Sequence, residues 1–158
     1  KPLVVMSPKS LLRHPLCISS VEELGPETKF QPIIREELTS AQSKKIKRVI
    51  LCSGKVYYDL KEGIEKNNVQ GIAIVRLEQL YPLDQKELET ALAAFGSAEK
   101  VWVQEEPANM GAWTYLQSSL PHLNLKVISR KIAASPATGY KKLHDENQAR
   151  IVSEALPL

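Results

Sequence analysis

Cysteine, histidine and long apolar runs are what this sequence has least of. Its 158 residues include 2 cysteines and 3 histidines. Cys17 and Cys52 make no disulfide framework, and a reduced, intracellular compartment is the default for such a chain. His14, His122 and His144 stand apart from one another and from both cysteines. Without C-x-x-C or H-x-x-x-H spacing the text offers no metal site. No apolar run reaches the roughly 18 residues of a membrane-spanning helix, and no basic, apolar, small-residue leader opens the chain. Three glycine signatures are missing as well: the phosphate-binding loop, the dinucleotide fingerprint and the G-x-S-x-G nucleophile elbow. Charge of one sign is scarce too. The net charge is +3, and the one basic cluster, "KKIKR" at 44–48, is too narrow for a nucleic-acid face. It reads as a solvated approach to the next strand.

What the sequence does have is an alternation of two element types. "RVILC" (Arg48–Cys52), "GIAIVRLE" (71–78), "KVWVQEE" (100–106) and "NLKVISR" (124–130) are strand-like. They are apolar throughout, as strands of a parallel sheet covered on both faces are. Between them lie helical patterns at 55–67, after Pro82 with Asp84 as N-cap and Leu88, Leu92 and Phe95 on one face, at 111–120, and at 141–156. The order predicts an α/β fold, a doubly wound and mostly parallel sheet. Ahead of it, "PLVVM" looks like a strand, with Ser7 as a helix cap and Pro8 at the first helical position. Residues 15–42 read as a linker crossing a surface, with a short strand at "KFQPII". A chain opening mid-strand with "KPLVVM" is expected to be part of a longer polypeptide. Cys52, closing an apolar run, is expected to be a buried small hydrophobe.

Ligands of open α/β sheets bind beyond the carboxyl ends of the strands. Three loops leave such ends: "CSGK", "EQLYPLD" and "QEEPANMGAW". In the first, Ser53 and Gly54 offer backbone N–H groups to an anion, or a plain cap and tight turn. In the last, Glu105 and Glu106 follow a strand directly. Paired carboxylates there are what acid/base chemistry uses, but neighbours on a strand point to opposite faces. Pro107 breaks the strand and holds Glu106 extended. The alternative is a structural joint. In it one glutamate accepts backbone N–H bonds from the next helix, the other pairs with a cation across an interface, and Trp113 anchors an interface or the core. The small-residue stretch from Ser129 to His144 suits either contact with a neighbour or phosphate, or a plain crossover to the last helix.

"SPKSLLRHP", "VILCSGKVYYDL", "IAIVRLEQLYP", "QEEPANMGAW" and "SPATGYKKLH", in that order, resemble the C-terminal region of the thiamine-diphosphate-dependent decarboxylase component of 2-oxoglutarate dehydrogenase. The 2-oxoadipate dehydrogenase component is closely similar. The resemblance implies a transketolase-type C-terminal domain at 43–158, preceded by a linker (15–42) and the tail of a pyrimidine-binding domain (1–14). It places no catalytic, cofactor or metal residue in this chain. Thiamine diphosphate and Mg²⁺ belong to the longer parent, a homodimer that passes a succinyl group to a dihydrolipoyl succinyltransferase. Neither nucleic acid nor membrane is an expected partner. The parent would sit in the cytoplasm of a bacterium or the mitochondrial matrix of a eukaryote. Interface candidates are Lys9, Arg13, His14, Gln104, Glu105, Glu106, Asn109 and Trp113. Candidates for a regulatory acetyl-coenzyme A or nucleotide site are Arg130, Lys131, Ser135, Thr138, Gly139, Lys141 and Lys142. The rival reading is a freestanding α/β module sensing such a ligand, and a third is an independent hydrolase built on Ser53.

Overall fold

Strand residues here alternate between two apolar layers, and that alternation builds the fold. The computed structural model describes residues 1–156. From Gln31 onward the chain is one compact unit, and Lys1–Phe30 is a separate one. The sheet strands are β1 (Ile33–Arg35), β2 (Arg48–Cys52), β3 (Ile72–Leu77), β4 (Glu99–Pro107) and β5 (Lys126–Arg130). Their helices are α1 (Ser40–Ser43), α2 (Val56–Asn67), α3 (Gln85–Ala93), α4 (Trp113–Ser119) and α5 (Lys141–Ala155). The order across the sheet is β1-β3-β2-β4-β5, with β1 antiparallel to β3 and the other pairs parallel.

On one face Val49, Leu51, Val75, Leu77 and Trp102 pack beneath Leu88 and Leu92 of α3 and Trp113 and Leu116 of α4. On the other, Ile50, Cys52, Ile74, Val101 and Val103 meet Val56 and Leu60 of α2 and Ile151 and Ala155 of α5. Each such aliphatic side chain, taken fully out of water, contributes about 1.5–3 kcal/mol. Asp84 caps α3 as expected, its carboxylate accepting from the Glu87 N–H at 2.8 Å. α2 and α5 approach closely because residue 63 is glycine: a Cβ there would lie 2.7 Å from Leu156 Cδ1 and 3.0 Å from Val152 Cγ1. Arg48 ties α5 to the sheet. It bonds Glu99 at 2.8 Å and donates to the Glu154 and Ala155 carbonyls at 3.0 Å each, where a helix C-terminus favours a cation.

The doubly wound, mostly parallel architecture is as the sequence predicts, and three local expectations are corrected. "PLVVM" forms no strand; within Lys1–Phe30 it has no neighbouring strand to complete its hydrogen bonds. Ser7 caps nothing, because the turn at Lys9–Leu11 is a 3-10 turn led by Pro8 without a side-chain cap. The segment 31–42, assigned to a linker, belongs to the sheet unit. Ile33–Arg35 pairs with β3, and Thr39 and Gln42 close a capping box on α1. The strand within "KFQPII" thus holds only its last two residues, plus Arg35.

Candidate functional site

β2 sends its chain leftward to β3 through α2, and β4 sends its chain rightward to β5 through α4. The reversal lies between β2 and β4, where loops diverge and a crevice is expected. Around it stand Lys55 after β2, Arg76 at the end of β3, and the segment from Gln104 to Trp113.

Gln104 organises that last segment from the inside. It is 3% exposed. Its Oε1 accepts from the Trp102 indole N–H at 2.7 Å and from the Trp113 backbone N–H at 3.1 Å. Its Nε2 donates to the carbonyls of Met110 at 2.7 Å and Pro107 at 3.0 Å. Both ends of the amide are therefore satisfied, as a buried amide requires. Gly111, with φ +67°, admits it: a Cβ there would lie 2.9 Å from the Gln104 oxygen. The helix α4 is received by an amide rather than by a glutamate, which corrects the expected role of the carboxylates. Gln104 and Trp113, both buried within the chain, shape the loop from below instead of presenting a contact surface.

The two glutamates part company, as strand geometry requires. Against expectation Pro107 does not break the strand: β4 runs on through both glutamates to Pro107, which pairs with Arg130, and the β4–β5 register shifts between Val103 and Pro107. Glu105 turns to Lys55 at 3.3 Å, and Glu106 is exposed. The cation paired with Glu105 is thus internal, not across an interface. Lys55 also bonds Asp59 at 2.7 Å, and Asp59 accepts from Gln148 of α5 at 2.7 Å. Burial alone would lower the Lys55 ammonium. The bonds and charges of Asp59 and Glu105 outweigh it and hold the group above its ordinary value. Lys55 and Glu105 together tie the loop that leaves β2 to the end of β4, so this carboxylate serves as an ion-pair partner. Arg76 lies 4.4 Å over the Tyr57 ring and bonds Glu78 at 2.9 Å. Cys52 is fully buried; that burial pushes its thiol up to about 12 against the pull of Arg76, which leaves it inert.

A second cluster gathers at the loop after β5. Asn109 donates to the Ala133 carbonyl at 3.0 Å and accepts from the Ala133 N–H at 3.2 Å. Arg130 donates to the Pro136 carbonyl at 2.9 Å. The structure so joins one interface candidate, Asn109, to the loop that carries Ser135, Thr138 and Gly139. Lys141 pairs with Asp145, while Lys131 and Lys142 are exposed. Lys9, Arg13 and His14 belong to the Lys1–Phe30 unit, where Lys9 and Arg13 are exposed and the His14 Nδ1 accepts from the Leu16 N–H at 3.3 Å. Sequence reasoning missed Lys55, Asp59, Gln148 and Arg76. The i,i+4 spacing of Lys55 and Asp59 was a readable signal; the other contacts are tertiary. Among the described residues no group of three or more His, Cys, Asp or Glu side chains converges as a cation site.

The family model described as 2-oxoglutarate dehydrogenase C-terminal matches residues 18–156. The oxoglutarate dehydrogenase of Buchnera aphidicola (subspecies Baizongia pistaciae) is 46% identical over 99% of this chain and 18% of its own length. The 2-oxoglutarate dehydrogenase E1 component of Haemophilus influenzae is 46% identical over 99% of this chain and 17% of its own. That of Rickettsia felis is 44% identical with the same coverages. The chain spans less than a fifth of the length of these curated relatives. None of the three is named as a freestanding sensor or a hydrolase.

Proposed function

This chain belongs to the family of 2-oxoglutarate dehydrogenase C-terminal domains, and from that premise we propose that it is the C-terminal structural and dimerisation domain of such an enzyme. The observation that carries the reading is identity of 43–46% across 99% of the chain with relatives of that name. The parent activity is oxidative decarboxylation of 2-oxoglutarate, with the succinyl group passing to lipoyl groups of a dihydrolipoyl succinyltransferase. Thiamine diphosphate supplies the carbanion stabilisation in that chemistry, with Mg²⁺ holding its diphosphate. The described residues here do not fit that pair. No acidic or histidine cluster is available to the metal, and the crevice between β2 and β4 is spanned by the Lys55–Glu105 ion pair. No reaction step is assigned to this chain. Its contribution is to present a rigid surface, with Glu106 and Asn109 held over the Gln104 knot, to the rest of a homodimeric polypeptide. The compartment is the cytoplasm in a bacterium or the matrix in a mitochondrion.

The test is a chimaera in which this chain replaces the matching C-terminal part of the Haemophilus influenzae relative. Turnover of 2-oxoglutarate with an artificial electron acceptor is expected from the chimaera and not from the chain alone. A folded chimaera without turnover, or turnover by the isolated chain, overturns the reading.

A further inference from the structure

From Arg130 to Lys142 the sequence carries four cations and no carboxylate. The structure folds this stretch around a groove of about 530 Å³ whose lining includes Arg130, Lys131, Ile132, Thr138 and Leu143. Three observations define its chemistry. Lys131, on the lining, has no ion-pair partner among the described residues, and neither has Lys142, which lies outside the lining but precedes its Leu143, whereas Lys141 and Arg150 are balanced by Asp145 and Glu154. Ile132 and Leu143 of the lining are 77% and 47% exposed, and Tyr140, outside the lining but next in sequence to its Gly139, is 79% exposed. The loop is pinned before any partner arrives, by Asn109 at Ala133 and by Arg130 at Pro136.

We infer that this groove is a docking surface for an acidic segment of a partner protein, one that carries aliphatic side chains among its carboxylates. Charge complementarity selects the sign of the occupant. The exposed isoleucine, tyrosine and leucine select a segment with apolar anchors over a bare anion, since isolated apolar side chains of this size gain by burial. A pinned loop loses little conformational freedom on binding, which favours capture of a flexible peptide. Two copies meeting through this surface would bring its excess positive charge together from both sides, so like charge disfavours self-pairing here. An open groove fits a peptide chain better than the flat face a membrane requires. The docking surface does not depend on the enzymatic reading: a chain that fails to support turnover in the chimaera still carries it.

Fluorescence anisotropy tests the inference on the whole chain, with a labelled dodecapeptide of glutamates interspersed with leucines. Binding is expected to weaken as salt rises. The double variant Lys131→Glu/Lys142→Glu should weaken it roughly tenfold, at about threefold for each lost exposed pair. Ile132→Ser should weaken it several-fold, and the distant Lys86→Glu should leave it unchanged. Circular dichroism confirms that these exposed substitutions leave the fold intact. Equal binding of the peptide with every leucine replaced by serine overturns the apolar half of the inference. Binding indifferent to the double charge reversal overturns the whole. Coenzyme A or adenine nucleotides that bind there more tightly than the peptide replace it with a small-ligand site. Phosphatidylserine vesicles captured as well as the peptide would make it a membrane contact. Sedimentation showing self-association abolished by the double reversal makes the occupant a second copy.

Discussion

Replacing Gln104 by leucine conserves size and removes the amide on which the loop after β4 is built. Three of its hydrogen bonds lie in buried surroundings, to the Trp102 indole, the Trp113 N–H and the Pro107 carbonyl, and those to the Met110 and Glu106 carbonyls are part-buried. A buried polar group left without a partner costs about 1–3 kcal/mol. Burying a leucine returns about 1.5–3 kcal/mol, and the Met110 carbonyl can turn to water. The expected net loss for Gln104→Leu is about 2–5 kcal/mol, a large share of the roughly 5–15 kcal/mol typical of a domain. Urea unfolding followed by tryptophan fluorescence suits the question, because both tryptophans of the chain bond this amide. Gln104→Glu makes a sharper variant. It keeps the two acceptor bonds but, once ionised, aims a carboxylate at the carbonyls of Glu106, Pro107 and Met110. That raises the new carboxyl's folded-state pKa above its unfolded value. Stability should then be nearest wild type in acid and fall as pH rises towards neutrality. A loss below about 1 kcal/mol in Gln104→Leu, with a pH-independent Gln104→Glu, would refute the claim that this amide organises the loop.

Further outcomes follow from the other contacts. Gly63→Val should destabilise by about 1–3 kcal/mol through overpacking against Leu156 and Val152, read as a lower urea midpoint. Arg48→Met should cost about 1–3 kcal/mol by releasing Glu99 and two helix-end carbonyls; hydrogen exchange should rise first at the end of α5. Glu99 is held below its ordinary value of 4.5 by hydrogen bonds from Lys126 and then Arg48. Its folded pKa is depressed, so its contribution is present above pH 4.5 and lost as pH falls through the folded value. Glu99→Gln should flatten that part of an acid-unfolding curve. With a thiol reagent at neutral pH, Cys17 should react readily while Cys52, fully buried, waits for unfolding; two equally fast thiols would contradict the packing of β2.

The parallel strands were legible because burial on both faces favours continuous apolar text, which β2 and the centres of β3 and β4 show, while β5 at the sheet edge keeps only Val127 and Ile128. Asp84 was legible because capping is local chemistry. β1 was faint because three residues on an antiparallel edge carry too little pattern to separate from a linker. "PLVVM" misled because an apolar run makes a strand only where another strand completes its hydrogen bonds. The loop after β4 was read as special for the wrong residues. Two adjacent glutamates draw the eye, while the glutamine beside them does the organising, and nothing local distinguishes a buried amide from an exposed one. Lys55 meets Glu105 only through the fold, across the gap between β2 and β4.

The division of the core into two faces sets an order for synthesis. Beneath α3 and α4 every major contributor lies between Ile33 and Leu120. That side can close while the later chain is still inside the ribosome. The opposite side cannot: Val56 and Leu60 of α2 have their cover in Ile151, Ala155 and Leu156. Until α5 emerges, a nascent chain carries a finished face and a bare one. A translation arrest placed before Lys141 should therefore yield a hydrophobic-dye-binding, chaperone-recruiting species that an arrest well beyond Leu156 does not.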